Sequence, residues 1–115
     1  NSQNTAYLYS GKLTLSSETI SPDNDGFEDY LILTYEMDKT GYVGSVKIYD
    51  DRGRDSRSLV KNELLGATGI FSWDGLDDDL KKASVGTYVI IFDGYHLDSG
   101  ETFKMKKVVV VAGDR

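Results

Sequence analysis

The sequence predicts an all-β protein, an antiparallel sandwich of about seven strands, and three observations carry that prediction. Short runs alternate apolar and polar residues at period two, the spacing that buries one face of a strand. Turn signals built from Asp, Asn and Gly separate these runs. Twelve glycines stand against a single proline in 115 residues, which suits a chain of many turns and few helices.

The elements follow in order. Leu13 and Leu15 alternate with Lys12, Thr14 and Ser16. Leu31, Leu33, Tyr35 and Met37 alternate with Tyr30, Ile32, Thr34 and Glu36, and Val46 and Ile48 alternate with Ser45, Lys47 and Tyr49. Phe71 and Trp73 mark a fourth run, Tyr88 to Phe92 a fifth that is apolar on both faces, and Phe103 to Val111 a sixth. A weaker strand is expected near Arg57 to Val60. The turns fall at Asp23 to Gly26, Lys39 to Gly41, Asp51 to Gly53, Asp74 to Gly75 and Asp98 to Gly100. Leu59 to Leu65 and Asp77 to Ala83 are the best helical candidates, and neither carries two turns of apolar spacing. The alternation places Leu31, Leu33, Ile48, Trp73, Tyr88 and Ile90 in the core.

Composition excludes several functions. Thirteen basic against nineteen acidic residues leave a formal charge of −6, so no excess of cations is available for nucleic acid or anionic lipid. The chain has no cysteine, which removes disulfides, thiolate zinc sites and a cysteine nucleophile. The longest apolar run, Val108 to Ala112, is far too short to insert across a membrane. The polar start, Asn1 to Asn4, has neither an initiator methionine nor the order of a signal peptide, and is expected to be a linker remnant of a longer chain. The expected division is a linker over 1–8, one sandwich domain over 9–112, and a short tail over 113–115.

The stretch "SPDNDGFEDY" is the strongest chemical lead. With Gly26 at the sixth position of a calcium loop, Ser21, Asp23 and Asp25 fall at one, three and five, the Phe27 carbonyl at seven and Asp29 at nine. Ile32 occupies the twelfth position, where a bidentate glutamate belongs, so the segment is not an EF-hand. Asp23, Asp25, Phe27 and Asp29 are candidate ligands for weak calcium binding. The competing reading is a turn in which Asp and Asn bond their own backbone and face water. No cofactor is otherwise implied.

Little else points to catalysis. His96 is the single histidine, beside the hairpin "DGYHLDSGE", where a lone histidine is expected to be solvated. No nucleophile elbow accompanies it. A sandwich of this size without insertions offers little depth for a substrate cleft. The cluster "WDGLDDDLKK" reads as a tight turn followed by a charged connection. Tyr42 and Tyr95, taken as exposed, could stack on sugars.

Five motifs stand in a familiar order: "ISPDNDGFEDYLIL", "GSVKIYDDRGR", "FSWDGLDDD", "GTYVIIFD" and "KMKKVVVV". Together they resemble the immunoglobulin-like domains at the C-termini of Bacteroidetes surface and secreted proteins, the gliding-motility-associated and type IX secretion tails, and the related domain of the flagellar hook-capping protein. The match spans Ile20 to Val111. It departs from the family in "DNDG" for the usual "NGDG", in "DRGR" without its tryptophan, and in "ASVGTY" without its proline.

The resemblance implies an immunoglobulin-like sandwich with no enzymatic activity, secreted or held at the cell surface. It implies that Gly86, Thr87, Tyr88, Lys106, Lys107 and Val108 belong to a sorting signal. The partner would be the outer-membrane secretion machinery or another surface protein, with the isolated domain monomeric. The alternative is a calcium-stabilised accessory module binding glycan or protein. The lysines of the last strand fit a surface gripped by another protein, and equally fit protection of an edge strand against aggregation.

Overall fold

The computed structural model describes residues 11–21 and 29–113. Among them the secondary structure is all β, in eight strands: β1 (Gly11–Leu15), β2 (Thr19–Ile20), β3 (Leu31–Met37), β4 (Tyr42–Tyr49), β5 (Asp55–Leu64), β6 (Thr68–Trp73), β7 (Gly86–His96) and β8 (Thr102–Val111). They form two sheets, one ordered β1-β3-β6 and the other β2-β8-β7-β4-β5. Every neighbouring pair is antiparallel except β2 and β8, whose short parallel pairing sets Thr19 beside Val110 and Ile20 beside Val111.

The period-two pattern does what it predicts. Leu31, Leu33, Tyr35 and Met37 turn inward from β3, Val46 and Ile48 from β4, Tyr88, Ile90 and Phe92 from β7, and Val109 and Val111 from β8, all buried. The six residues assigned to the core from alternation are buried without exception. Burying each such side chain contributes about 1.5–3 kcal/mol, so the two inward faces are the main source of stability. Aromatic rings join the sheets through the middle. Phe92 packs edge-on against Phe71 and Phe103, and Tyr35 stacks on Phe71 at 5.2 Å between centroids.

Three elements differ from expectation. The weak strand near 57–60 is a ten-residue strand, β5, whose alternation is broken by register shifts against β4 and by a positive φ of 48° at Asn62. A bulge adds a residue and flips the inward parity, so a period-two search loses the strand there. Both helical candidates are non-helical: Leu59 to Leu64 lies within β5, and Asp77 to Ala83 is a turn closed by the Leu76–Lys82 bridge. β2 is two residues long, too short to show any period.

Candidate functional site

The six residues that the resemblance assigns to a sorting signal lie on two adjacent strands. The β7–β8 ladder is unbroken from Gly86 opposite Val111 to Tyr95 opposite Thr102, and it sets Gly86, Thr87 and Tyr88 opposite Val111, Val110 and Val109. Lys106, Lys107 and Val108 lie further along β8, opposite Ile91, Ile90 and Val89. The six therefore share one ribbon but not one face. Thr87, Lys106 and Val108 point to the outer surface of the large sheet and are exposed, while Tyr88 is buried at 4% exposure. Lys107 has the inward parity of Phe103, Met105 and Val109, yet its side chain is exposed. None of Lys104, Lys106 and Lys107 makes an ion pair among the described residues.

Tyr88 has a structural task. Its hydroxyl donates to the Ser84 carbonyl at 2.7 Å, four residues back, and its ring meets Trp73 edge-on at 5.9 Å. Burial, and then the negative charge of Asp50, push its phenol pKa up. Gly86, between the carbonyl and the ring, has a φ of +153°, where side chains are rarely found. The pair forms a tyrosine corner: a tyrosine early in a strand, bonded back to the preceding loop, as in immunoglobulin-type sandwiches.

No protein-family model matches the chain, and no curated protein matches it in sequence. Among solved structures it is similar to FlgD from P. aeruginosa, a flagellar hook-capping protein, with a TM-score of 0.59, 16% identity, and coverage of 87% of this chain and 73% of that one. The fold is an immunoglobulin-like β-sandwich. At that identity the likeness concerns fold alone.

The remaining motifs hold the loops of this immunoglobulin-like domain. In "YDDRGR", Asp50 Oδ1 accepts from the amides of Arg52 and Arg54, and Oδ2 accepts from Arg54 Nε at 2.9 Å. The Arg54 amide, more than any other group, lowers the Asp50 pKa. In "WDGLDDD", Trp73 Nε1 donates to the Leu76 carbonyl at 2.9 Å, and Asp74 accepts from the Leu76 amide. Asp77 accepts from the amides of Asp79 and Lys81, while Asp78 accepts from the Ser58 amide and fastens the loop to β5. Asp77 and Asp78 thus hold a turn through bonds to backbone amides.

Of the calcium candidates, Asp23, Asp25 and Phe27 lie outside the described residues, and Asp29 is half-buried just before β3. Among the described residues no cluster of three His, Cys, Asp or Glu side chains is placed to hold a metal.

Two expectations about polar rings are corrected. His96 is buried at 7% exposure rather than solvated, because both ring nitrogens find partners. Nε2 lies 2.9 Å from the Thr40 carbonyl, and Nδ1 accepts from the amides of Asp98 and Ser99, which fixes the tautomer with hydrogen on Nε2. Tyr42 is buried at 1%, wedged edge-on between His96 and Phe103, and cannot serve as a sugar platform. Tyr95 is exposed. It borders a shallow depression of about 580 Å³ on the outer face of the large sheet, with Ser45, Asn62, Asp93, Thr102 and Lys104.

Proposed function

We propose that this domain is a non-catalytic sorting and attachment domain of a secreted or cell-surface Bacteroidetes-type protein, read by the outer-membrane machinery of type IX secretion or by another surface protein. The observation that carries the reading is the surface of β8. Its lysines are exposed and make no ion pairs among the described residues, although the protein as a whole is acidic. Cations left unpaired amid an excess of carboxylates are available to another molecule. The order of the five motifs supports the same reading. His96, the only histidine, is committed to three hydrogen bonds, which supports a non-catalytic role.

The depression beside Tyr95 favours a second reading, a surface accessory module that binds glycan or protein, with calcium held by the acidic stretch. A reporter separates the two. Fused to the C-terminus of an inert periplasmic protein, the domain should carry that protein across the outer membrane in a host with type IX secretion. A folded, soluble fusion that stays in the periplasm rejects the sorting reading in favour of the binding module.

A further inference from the structure

The large sheet ends in β5 on one side and, on the other, in β8 with the two-residue β2 paired to its end, and the two sides are not alike. β5 is irregular: its ladder with β4 shifts register three times and it carries a positive φ at Asn62. Such bulges discourage the addition of another strand. β8 is long and regular, with an unbroken ladder to β7. On its far side β2 pairs with the end alone, where the Val110 amide donates to the Glu18 carbonyl and the Ala112 amide to the Ile20 carbonyl. Amides alternate sides along a strand, so those of Lys104, Lys106 and Val108 point to that same edge. Among the described residues nothing pairs with them there.

The side chains along this open edge form a pattern of charge. Lys104, Lys106 and Val108 face outward, and Lys107 lies on the opposite face. A lysine at an inward position on an edge strand discourages pairing with arbitrary strands. It discourages a second copy of this chain as well, since an antiparallel copy of β8 would bring lysines against lysines.

We infer that the open edge of β8 takes up an extended acidic strand of a partner protein, which adds to the large sheet and sets carboxylates beside Lys104, Lys106 and Lys107 and an apolar side chain beside Val108. Running antiparallel, the matching order is an apolar residue, two acids, any residue, and an acid. Backbone pairing supplies affinity, and the three lysines select the sequence. The inference deepens the sorting reading by naming the chemistry of the partner, but the contact can be measured without export.

The probe is a seven-residue peptide, Thr-Val-Glu-Glu-Thr-Glu-Thr, titrated into the isotopically labelled domain at low ionic strength. Amide shifts should move along Thr102 to Val108 and not along β5, and added salt should weaken the binding. The same peptide N-methylated at alternate residues should not bind. The variant K104E/K106E, first checked for an unchanged melting midpoint, should lose on the order of tenfold in affinity and gain affinity for the peptide with lysine in place of glutamate. Three results overturn the inference: no shifts at millimolar peptide, salt-independent shifts elsewhere on the domain, or β8 amides that are already protected in a dimer of the domain. If the peptide binds while the reporter stays periplasmic, the sorting reading fails and the docking edge stands. If the reporter is exported while the peptide does not bind, the edge assignment fails alone.

Discussion

Tyr88 and Ser84 close a loop of four residues with one hydrogen bond, phenol to carbonyl at 2.7 Å, at the point where β7 enters the core. The preceding loop is thereby pinned to a ring packed on Trp73. Tyr88→Phe keeps the ring and removes the donor, so it should cost about 0.5–1.5 kcal/mol, read from denaturant unfolding. The variant should also change the alkaline limb. A phenol whose folded pKa is raised above its unfolded value of 10.0 contributes stability that is fully present below pH 10 and is lost as pH rises through the folded value. The native protein should therefore lose stability above pH 10, and Tyr88→Phe should lose less.

His96 ties the entry of β4 to the β7–β8 hairpin, and replacing it leaves the groups it satisfies without partners. His96→Phe removes a donor to Thr40 and an acceptor for two amides, so about 1–3 kcal/mol of stability should go. Gly41→Ala tests the same joint from the other side. A Cβ there would stand 2.7 Å from His96 Nε2, at a φ of +101° that side chains rarely adopt. Both variants should melt earlier, and nitrogen shifts of the native imidazole should report hydrogen on Nε2.

Trp73 is fully buried, and its indole nitrogen is bonded to the Leu76 carbonyl. Trp73→Ala should cost about 3–5 kcal/mol, and the "WDG" turn should loosen with it. A variant that melts like the native protein would show that this ring is not central to the core.

The sandwich was legible where a strand has one wet face and one dry one. β3 is the clearest case, because Leu31, Leu33, Tyr35 and Met37 hold strict parity without interruption. β5 was not legible, because its bulges reset the parity within ten residues. His96 and Tyr42 were misjudged because a polar ring is buried or exposed according to partners distant in sequence. The Thr40 carbonyl is 56 residues from His96, and no local pattern announces it. For the candidate surface, the lysines of β8 could be read directly, but not that most of its far edge is unpaired among the described residues. That depends on how little of β8 is covered by β2, a strand of two residues. The role of Tyr88 was likewise hidden, since "GTY" shows a tyrosine and not the carbonyl it reaches.

Calcium binding by Asp23, Asp25 and Asp29, with the Phe27 carbonyl, predicts a specific dose dependence. Lacking a bidentate acid at Ile32, the segment should bind in the weak range of about 10⁻⁴ to 10⁻³ M. The melting midpoint should then rise only at millimolar calcium and fall back with chelator. Identical midpoints in calcium and chelator would leave the acidic stretch as a hydrogen-bonded turn.

The lysines of β8 allow stability and recognition to be separated. Lys104, Lys106 and Lys107 are exposed and make no ion pairs among the described residues, so changing all three to glutamine removes charge without breaking an ion pair there. Surface changes of this kind stay within about 0.5 kcal/mol each, and the triple variant should unfold at nearly the native denaturant midpoint. Deleting Lys106 to Arg115 would be a poorer test, because it removes Val109 and Val111 from the core and unfolds the domain for reasons unrelated to recognition. If the lysines form the recognised surface, the triple variant fused to the periplasmic reporter should fold, remain soluble and be exported poorly. Export at the native level by a folded triple variant would show that the machinery does not read the charge of β8.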